Sequence, residues 1–408
     1  MNRIFLSALF LGLLAVGCEK APQGGDQQLP EPEQPKGPVL NIENELVNLD
    51  REVGKFTLDF TSTEAWTASC DALWVSLVGA SGEGSEEKSS LTVFYNANCA
   101  RKEREASLIV KSGELADTLK IVQAAPYDAT ISDFFKRVSE EGYIYQYICA
   151  HRANTYDGIF KTMNCPENSV PAVERCIQQG LDMVEIDVRM TKDGYLVCCH
   201  DEGISNVTNG SGKVAELTFE QIRSYDAKVR AKGLVVKGVK MATLGEILDA
   251  CKDRIWVNLD LSKAAFAAEF SRKLVDEIIQ HGMEHQVTCY IGSSADKANT
   301  IYNLCNSLSI HLYIGGVSDV QTKIPTVKTV PVLQIGAGSW NGVTPTFPDQ
   351  IRTAGYCAFS NMLDYDSKVT GGNTSYLEYF TAARIDFMQT DYGDNIKFQN
   401  YLMSKNLR

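Results

Sequence analysis

The stretch V184-E-I-D-V-R-M-T-K-D-G-Y-L-V-C-C-H-D201 decides how the second half of the chain folds. Its first residues alternate between apolar β-branched and charged side chains, which is the period of a β-strand. At this period Glu185 and Asp187 project from the same face. The segment 191–194 follows, and its Asp and Gly tolerate the backbone angles of a tight turn. We therefore predict a strand that carries two acids side by side and ends in a turn.

A short apolar run, 195–199, predicts a second strand that delivers His200 and Asp201 at its end. Two acids and an imidazole at one edge of a strand-turn-strand unit suit a hard divalent cation together with an acid/base group. A solvated strand edge is the alternative interpretation, but acids that face water require no imidazole at the end of the next strand. The stretch therefore favours phosphate-ester chemistry.

The composition of the 408-residue chain is that of ordinary globular material, with 44% hydrophobic and 22% charged residues. The length suggests two or three domains. The formal net charge of -12 argues against general electrostatic capture of nucleic acid, although a local basic pocket for one phosphate is compatible with it. An anionic substrate would therefore be held by local groups or by a metal.

Residues 1–17 have the pattern of a secretory signal, because Arg3 precedes an apolar run that is too short to span a bilayer as a mature helix. The run ends in A15-V16-G17-C18, which resembles the lipobox of bacterial lipoproteins, with Ala15 in place of the more usual Leu. This resemblance implies a lipid on Cys18 that anchors the protein to the bacterial outer membrane, at the cell surface or the periplasmic face. An ordinary signal peptide with a chance cysteine is the alternative. Residues 18–38, rich in Pro, Gln, Gly and Glu, predict a flexible tether.

Twelve cysteines in an exported chain invite a disulfide interpretation. However, six of them lie in apolar stretches, where a free cysteine behaves as a small hydrophobic residue: Cys149, Cys198, Cys199, Cys251, Cys289 and Cys357. No CxxC motif occurs, so zinc ligation and thioredoxin chemistry lack support. Pairing of Cys70 with Cys99 stays open.

Residues 39–125 predict an all-β, antiparallel sandwich, because short alternating strands follow one another with Gly, Ser and Asn turns between them. This segment resembles the BACON domain of Bacteroidetes surface proteins. The resemblance is carried by the Trp66 strand, W74-V-S-L77, A100-R-K-E-R104 and I121-V-Q-A124.

A BACON-like sandwich implies a glycan contact, which exposed aromatic side chains would serve by stacking on sugar rings. Trp66 and Trp74 lie within predicted strands, however, and we expect both in the core. We therefore favour a spacer that lifts the next domain off the membrane.

From residue 127 onward, strands and helices alternate, which predicts a parallel sheet. A helix, 396–403, closes the chain. Nine segments read as strands, one more than a (β/α)8 barrel needs, and we expect one of those between 311 and 335 not to be a barrel strand. The nine candidates are 145–149, 184–188, 195–199, 255–261, 287–291, 311–314, 330–335, 356–360 and 385–389.

Several short motifs, in this order and at these separations, resemble the glycerophosphodiester phosphodiesterase family over residues 127–408. They are Y147-I-C-A-H-R152, Pro166-Glu167-Asn168-Ser169, E185-I-D187 with T191-K-D-G194, C199-H-D201, N209-G-S-G212, T243-L-G-E-I-L248, the strand that ends at Asp260, and Thr390-Asp391. The resemblance implies a TIM barrel of the PLC-like phosphodiesterase type, preceded by the small all-β sandwich. Most of the motif residues follow predicted strands, and active sites of such barrels lie at the C-terminal ends of the strands.

The resemblance also implies a divalent cation, Ca²⁺ or Mg²⁺, held by Glu185, Asp187 and Asp260. His151 would be the base and His200 the acid.

Arg152 would bind the phosphate and Glu167 would orient its neighbours around the substrate. The other three histidines, His281, His285 and His311, flank a helix end or open a strand, and we assign them no chemistry.

Three positions depart from the family pattern: Ala153 stands where Gly is usual, Asp260 where Glu is usual, and Ser262 where Lys is usual. Asp has a shorter reach to a metal than Glu. Loss of the lysine at the substrate-binding position 262 removes a cation that would counter the phosphate. Lys263 is adjacent, but strand alternation predicts that it points to the opposite face.

The sequence thus predicts a lipid-anchored enzyme that hydrolyses glycerophosphodiesters to glycerol phosphate and an alcohol by histidine acid-base catalysis. The leaving alcohol is not determined. Two alternatives stay open: a catalytically weakened or inactive surface protein that captures glycan or phosphodiester, and a PLC-like phosphodiesterase for a different phosphodiester. Retention of both histidines and both acids of E185-I-D187 argues against decay.

Overall fold

The structure is a computed structural model that describes residues 37–51, 54–96, 98, 102–125, 128, 130–141, 147–153, 165–328, 332–336, 346–363 and 385–391. The predicted signal peptide, nearly all of the predicted tether, Cys99 and the predicted helix 396–403 lie outside these residues. Within them, no helix is long and apolar enough to cross a membrane.

The N-terminal part is all-β, as predicted. Its nine strands are β1 (Leu40–Ile42), β2 (Leu46–Leu49), β3 (Gly54–Ser62), β4 (Trp66–Cys70), β5 (Val75–Val78), β6 (Ser81–Gly82), β7 (Ser85–Tyr95), β8 (Arg104–Ser112) and β9 (Leu115–Gln123). One sheet has the order β1-β3-β7-β5 and the other β2-β9-β8-β4-β6. Contrary to the prediction, the sandwich is not antiparallel throughout, because β2 pairs in parallel with β9, whereas β8 and β9 form an antiparallel pair.

The two sheets enclose one apolar core. Buried and exposed residues alternate along β8 and β9, which is the strand period read from the sequence. Trp66 is buried and meets the ring of Phe60 edge-on, with the centroids 4.7 Å apart. Trp74 is buried as well. Both tryptophans therefore belong to the core, as expected, and neither is presented to solvent for stacking.

The C-terminal part is a closed parallel barrel, which confirms the predicted fold. The described residues of this part form eleven strands: β10 (Tyr147–Ala150), β11 (Met183–Met190), β12 (Leu196–Cys198), β13 (Lys228–Val229), β14 (Leu234–Val235), β15 (Trp256–Asp260), β16 (Val287–Tyr290), β17 (Ser309–Tyr313), β18 (Val332–Ile335), β19 (Cys357–Asn361) and β20 (Phe387–Thr390). Eight of them form the ring β10-β20-β19-β18-β17-β16-β15-β11, and pairing of β10 with β11 closes it. All eight run in parallel, so their C-terminal ends meet at one face.

The prediction that one segment between 311 and 335 is not a barrel strand is wrong. Both segments between 311 and 335 supply barrel strands, β17 and β18. The strand outside the ring is β12, which pairs antiparallel with the end of β11. The reason is the length of the connection, because parallel neighbours need a crossover of a dozen or more residues and the turn between β11 and β12 is far shorter.

Eight α-helices are described: α1 (Ile131–Glu141), α2 (Val170–Gln178), α3 (Phe219–Ser224), α4 (Leu244–Cys251), α5 (Ala268–Gln280), α6 (Ala295–Leu304), α7 (Val317–Thr322) and α8 (Thr346–Thr353). Local sequence fixes several of their starts. Ser169 caps α2, and Thr243 with Glu246 forms a capping box at α4, because each satisfies backbone N–H groups of the first turn. The six cysteines expected in apolar surroundings are all buried and free.

The N-terminal end of the barrel is sealed by aromatic side chains. Phe134 of α1 stacks on Trp256 at 5.5 Å and meets Tyr147 and Phe387 edge-on, and these three residues open β15, β10 and β20. The opposite end, where the strands finish, is therefore the end available for a site.

The sandwich packs against this sealed end. Arg51 donates a hydrogen bond of 2.8 Å to Asp128, which also accepts from Arg137 of α1. Gly180 has a φ of +69° and lies against Trp74, where an added Cβ would come within 2.4 Å of the Trp74 Cβ. A buried ion pair and a close backbone approach hold the two parts together.

Candidate active site

Three carboxylates meet inside the C-terminal mouth of the barrel. Glu185 and Asp187 lie on β11, and Asp260 is the last residue of β15. One oxygen from each lies within 4.8 Å of the others. The two acids of β11 are buried and face the same side, as strand alternation predicted.

The carboxylate cluster fits a hard divalent cation. Glu185 Oε2 accepts a hydrogen bond from the backbone N–H of Arg152 at 2.7 Å, whereas Oε1 is buried without a hydrogen-bond partner among the described residues. Burial raises the pKa of Glu185 well above its ordinary value, and the neighbouring charges of Asp187 and Asp260 raise it further. Burial, and then Asp187, also raise the pKa of Asp260. A cation would relieve this repulsion and engage the orphaned oxygen, since oxygen ligands suit Ca²⁺ and Mg²⁺.

Asn168 holds Asp187 from two sides. Its amide Nδ2 donates to Asp187 Oδ2 at 2.9 Å, and its Oδ1 accepts from the backbone N–H of Asp187 at 3.0 Å. The residue adopts a φ of +53°, which Asn tolerates better than most residues. The motif of residues 166–169 contained this residue, but its role depends on contact with β11.

Arg152 follows β10 in a tight left-handed turn, with φ values of +57° at Arg152 and +48° at Ala153. Each residue in this region costs about 1–2 kcal/mol when it has a side chain, which is why glycine fits such positions. The turn sends the backbone N–H of Arg152 to Glu185 and its guanidinium to Glu167, with Nη1 3.1 Å from Oε1. Backbone strain of this kind is concentrated at functional sites.

Arg230 is a site residue that the sequence interpretation missed. Its guanidinium donates two hydrogen bonds of 2.8 Å to Glu167 and one of 2.8 Å to Asp201. Burial disfavours the charge of Asp201, but hydrogen bonds, led by that from Arg230, outweigh it and hold the pKa of Asp201 below its ordinary range. Arg230 comes from a short loop between β13 and β14, and its partners are 63 and 29 residues away in the chain. No local motif marks it.

Each motif histidine is oriented by a carboxylate. His151 Nδ1 lies 2.6 Å from Asp391, and the two residues follow directly on Ala150 and Thr390, which are register partners of β10 and β20. His200 Nδ1 lies 2.7 Å from Asp201. A carboxylate at Nδ1 accepts the Nδ1–H and so fixes the ring. At His151 this leaves Nε2 as the nitrogen that can meet a substrate, whereas Nε2 of His200 contacts Lys263.

The strand β12 explains how His200 reaches the site. The hairpin turns back along β11, so that the backbone N–H of Cys199 donates to Asp187 O at 3.1 Å. The next residue, His200, is therefore delivered to the level of the carboxylates.

The expected direction of Lys263 was wrong. Its Nζ contacts Nε2 of His200. The strand β15 ends at Asp260, so alternation no longer applies three residues later. Ser262 instead donates its backbone N–H to Asp260 Oδ1 at 2.7 Å. The cation that is absent at position 262 is supplied by the next residue.

The remaining histidines lie apart from this cluster. His281 caps the C-terminal end of α5 and pairs with Asp249, with 2.6 Å between Nδ1 and Oδ1. His285 is exposed. His311 is fully buried in β17, where burial lowers its pKa to about 3.

Two family models match the chain, and both resemblances are thereby confirmed. Residues 151–333 match the glycerophosphoryl diester phosphodiesterase family. Residues 64–124 match the BACON family, described as an N-terminal binding domain.

Curated proteins show similarity in the same region. A glycerophosphodiester phosphodiesterase of Caldanaerobacter subterraneus subsp. tengcongensis is 33% identical over 142 residues, which are 34% of this chain and 55% of that protein. One of Bacillus altitudinis is 32% identical over 120 residues, which are 29% of this chain and 49% of that protein. The chain thus spans about half the length of the curated relatives it matches.

Solved structures support the fold. A glycerophosphoryl diester phosphodiesterase from Parabacteroides distasonis superposes with a TM-score of 0.55 at 19% identity, over 69% of this chain and 93% of that one.

Proposed function

From the premise that residues 151–333 carry the domain of the glycerophosphoryl diester phosphodiesterase family, we propose that this protein hydrolyses glycerophosphodiesters to glycerol phosphate and an alcohol. One observation carries the proposal. A group of three carboxylates, two of them buried, lies beside two histidines, and a further carboxylate orients each histidine. Such an arrangement serves acid/base chemistry next to a metal.

Glu185, Asp187 and Asp260 would hold one divalent cation, Ca²⁺ or Mg²⁺. When bound, such a cation polarises a phosphoryl oxygen and neutralises developing charge. Asn168 keeps Asp187 in place through its two hydrogen bonds.

The two histidines would move the protons. His151 takes the proton from the attacking hydroxyl, which belongs either to water or to the neighbouring carbon of the glycerol. Attack by water gives glycerol phosphate directly, whereas attack by the glycerol hydroxyl gives a cyclic phosphate, which a water molecule then opens to glycerol phosphate. His200 gives a proton to the oxygen of the leaving alcohol. Asp391 and Asp201 fix the rings by their contacts with Nδ1, and imidazole is suited to both steps near neutral pH.

Two cations would bind the phosphate. Arg152 Nε lies 3.6 Å from Asp187 Oδ2, at the edge of the carboxylate cluster. Lys263 Nζ contacts Nε2 of His200. Glu167 orients Arg152 by its ion pair, and it is itself fixed by Arg230. Ser262 acts through Asp260, to which its backbone donates.

The alternative of a weakened or inactive binding protein loses its main support. It depended on the shorter Asp260 and on Ser262 in place of lysine. Asp260 nevertheless joins the carboxylate cluster, and Lys263 supplies a cation at His200.

The location of the protein is a separate proposal. The sequence A15-V16-G17-C18 supports a lipid on Cys18 and an anchor in the bacterial outer membrane, and the buried tryptophans of the sandwich favour a spacer over a glycan-binding surface. Cys18→Ala should release an active protein from the membrane fraction. Continued membrane association of that variant would require another contact.

Hydrolysis of glycerophosphocholine, followed by ³¹P NMR with and without EDTA, tests the activity. We expect glycerol phosphate to appear, EDTA to stop its formation, and added Ca²⁺ or Mg²⁺ to restore it. Glycerophosphoethanolamine and glycerophosphoinositol extend the test to other leaving alcohols. Absence of product from all three substrates with either metal present would reject the proposal, and full activity in EDTA would reject the metal.

A further inference from the structure

A groove of about 650 Å³ is lined in part by two residues that contact His200. One wall contains Lys263, whose Nζ contacts Nε2 of His200. Another contains Arg189, which donates to the backbone oxygen of His200 at 2.6 and 3.1 Å and reaches Lys263 O at 3.5 Å. The groove is therefore connected, through Lys263 and Arg189, to the histidine that would protonate the leaving alcohol.

The described residues that line the groove carry an excess of positive charge. Four are cationic and two are acidic: Arg189, Lys192, Lys213 and Lys263 against Glu202 and Glu216. Lys213 is only loosely paired with Glu202, at 3.9 Å. Such an excess contrasts with the net charge of -12 for the whole chain. A concave surface of one sign raises the local concentration of ligands of the opposite sign.

The rest of the lining is mostly apolar and includes three small side chains, Ala215, Ala264 and Ala265. They leave room for a carbon skeleton beside the charged groups. A quaternary ammonium in this position would meet like charges, whereas a phosphate or carboxylate would meet lysines.

We propose that this groove binds the leaving alcohol and selects an alcohol that carries a further anionic group. The inference builds on the proposed function and specifies its substrate class: a glycerophosphodiester whose leaving side is a phosphorylated or carboxylated polyol. Lys192 and Lys213 are the specificity-determining residues, because both are exposed in the groove and neither belongs to the reacting cluster.

Two matched substrates isolate the added charge. Glycerophosphoinositol and glycerophosphoinositol 4-phosphate differ by one phosphate on the leaving alcohol, and glycerophosphocholine offers a cation instead. We expect kcat/KM to be highest for the phosphorylated substrate, and its advantage to shrink as NaCl rises from low to high concentration, because salt screens exposed charges.

The double variant Lys192→Gln/Lys213→Gln should lower the preference for the phosphorylated substrate by roughly three- to tenfold, the range expected for two exposed charge contacts. Lys192→Glu/Lys213→Glu should shift the preference towards glycerophosphocholine. The matched control is Lys111→Gln/Lys136→Gln, which removes two exposed lysines from the sandwich and from α1 at the opposite end of the barrel. The control should keep the wild-type preference.

The outcomes separate the two proposals. If no glycerophosphodiester is hydrolysed, the proposed function fails. If all three are hydrolysed, but wild type and the Lys192/Lys213 variants show the same ratio of kcat/KM values, the groove does not select the leaving alcohol. If the Lys192/Lys213 variants change only kcat, and by the same factor for every substrate, the proposal that the groove selects the leaving alcohol is also wrong.

Discussion

Asp187 and Asp260 are register partners on adjacent parallel strands, so their side chains enter the barrel at the same level. Their carboxylates repel each other, and burial together with Asp187 raises the pKa of Asp260. A cation between them relieves this repulsion. Strand register therefore brings the carboxylate of Asp260 into the cluster, although its side chain is shorter than that of Glu.

Asp260→Asn should weaken metal binding at least tenfold, because the site loses one of three anionic ligands. Isothermal titration with Ca²⁺ or Mg²⁺ measures this. Asp260→Glu keeps the charge and should bind metal better than Asn does. Equal affinity of wild type and Asp260→Asn would remove Asp260 from the ligand set.

His151→Ala and His200→Ala should each lower kcat by roughly 10²–10⁴-fold, the usual contribution of a positioned acid or base. Circular dichroism should show an intact fold for both. His285→Ala is the control, because this exposed histidine has no place in the site. A comparable loss in the control would contradict the assignment of roles.

Arg230→Met should lower kcat about 10- to 100-fold with a smaller effect on KM, because the carboxylates that orient His200 and Arg152 lose the guanidinium that fixes them. The pKa of Asp201 should rise once Arg230 no longer holds it low, so the pH profile of the ¹³C NMR shift of the Asp201 carboxyl carbon should move to higher pH. Arg230→Lys should recover part of the loss.

Arg254→Met is the matched control for Arg230. Arg254 also forms a two-pronged ion pair, with Glu174, but it lies just before β15, at the far end of the barrel. A pH profile that moves equally in both variants would indicate a general loss of stability rather than a positioning role.

Lys263→Gln should lower kcat/KM for simple glycerophosphodiesters by roughly tenfold, because the phosphate loses a partly exposed cation. Ser262→Lys alone should change little. In the Lys263→Gln background, however, Ser262→Lys should restore part of the activity, because it returns one cation to the neighbourhood of His200. Steady-state kinetics on glycerophosphocholine measures all three variants, and an unchanged Lys263→Gln enzyme would exclude contact with the phosphate.

Acid should destabilise the barrel through His311. Its pKa is lowered to about 3 in the folded protein, against an ordinary value of about 6.5 in the unfolded chain. Between these values the unfolded chain binds the extra proton, so stability falls as pH falls, by at most about 1.4 kcal/mol per pH unit. His311→Leu should flatten the dependence of the free energy of unfolding between pH 6.5 and 4.5, measured by urea denaturation. An unchanged slope would show that His311 is not buried as a neutral ring.

The sequence by itself determined the class of fold and which acids form the carboxylate cluster. Strand period placed Glu185 and Asp187 on one face, because this signal depends only on near neighbours in the chain. The motif histidines and acids were found by residue type and order.

Only the tertiary structure decided which groups meet. Arg230 joins Glu167 to Asp201 across 63 and 29 residues, Asp391 reaches His151 across 240, and Lys263 turns towards His200 once β15 has ended. The tertiary structure also decided which strands belong to the barrel. The sequence of β12 is that of a strand, but the turn before it is too short for a parallel connection, so β12 pairs antiparallel with β11 outside the ring. Local patterns specify the period and the ends of elements, whereas contacts between distant residues depend on strand register and on the path of loops that have no period.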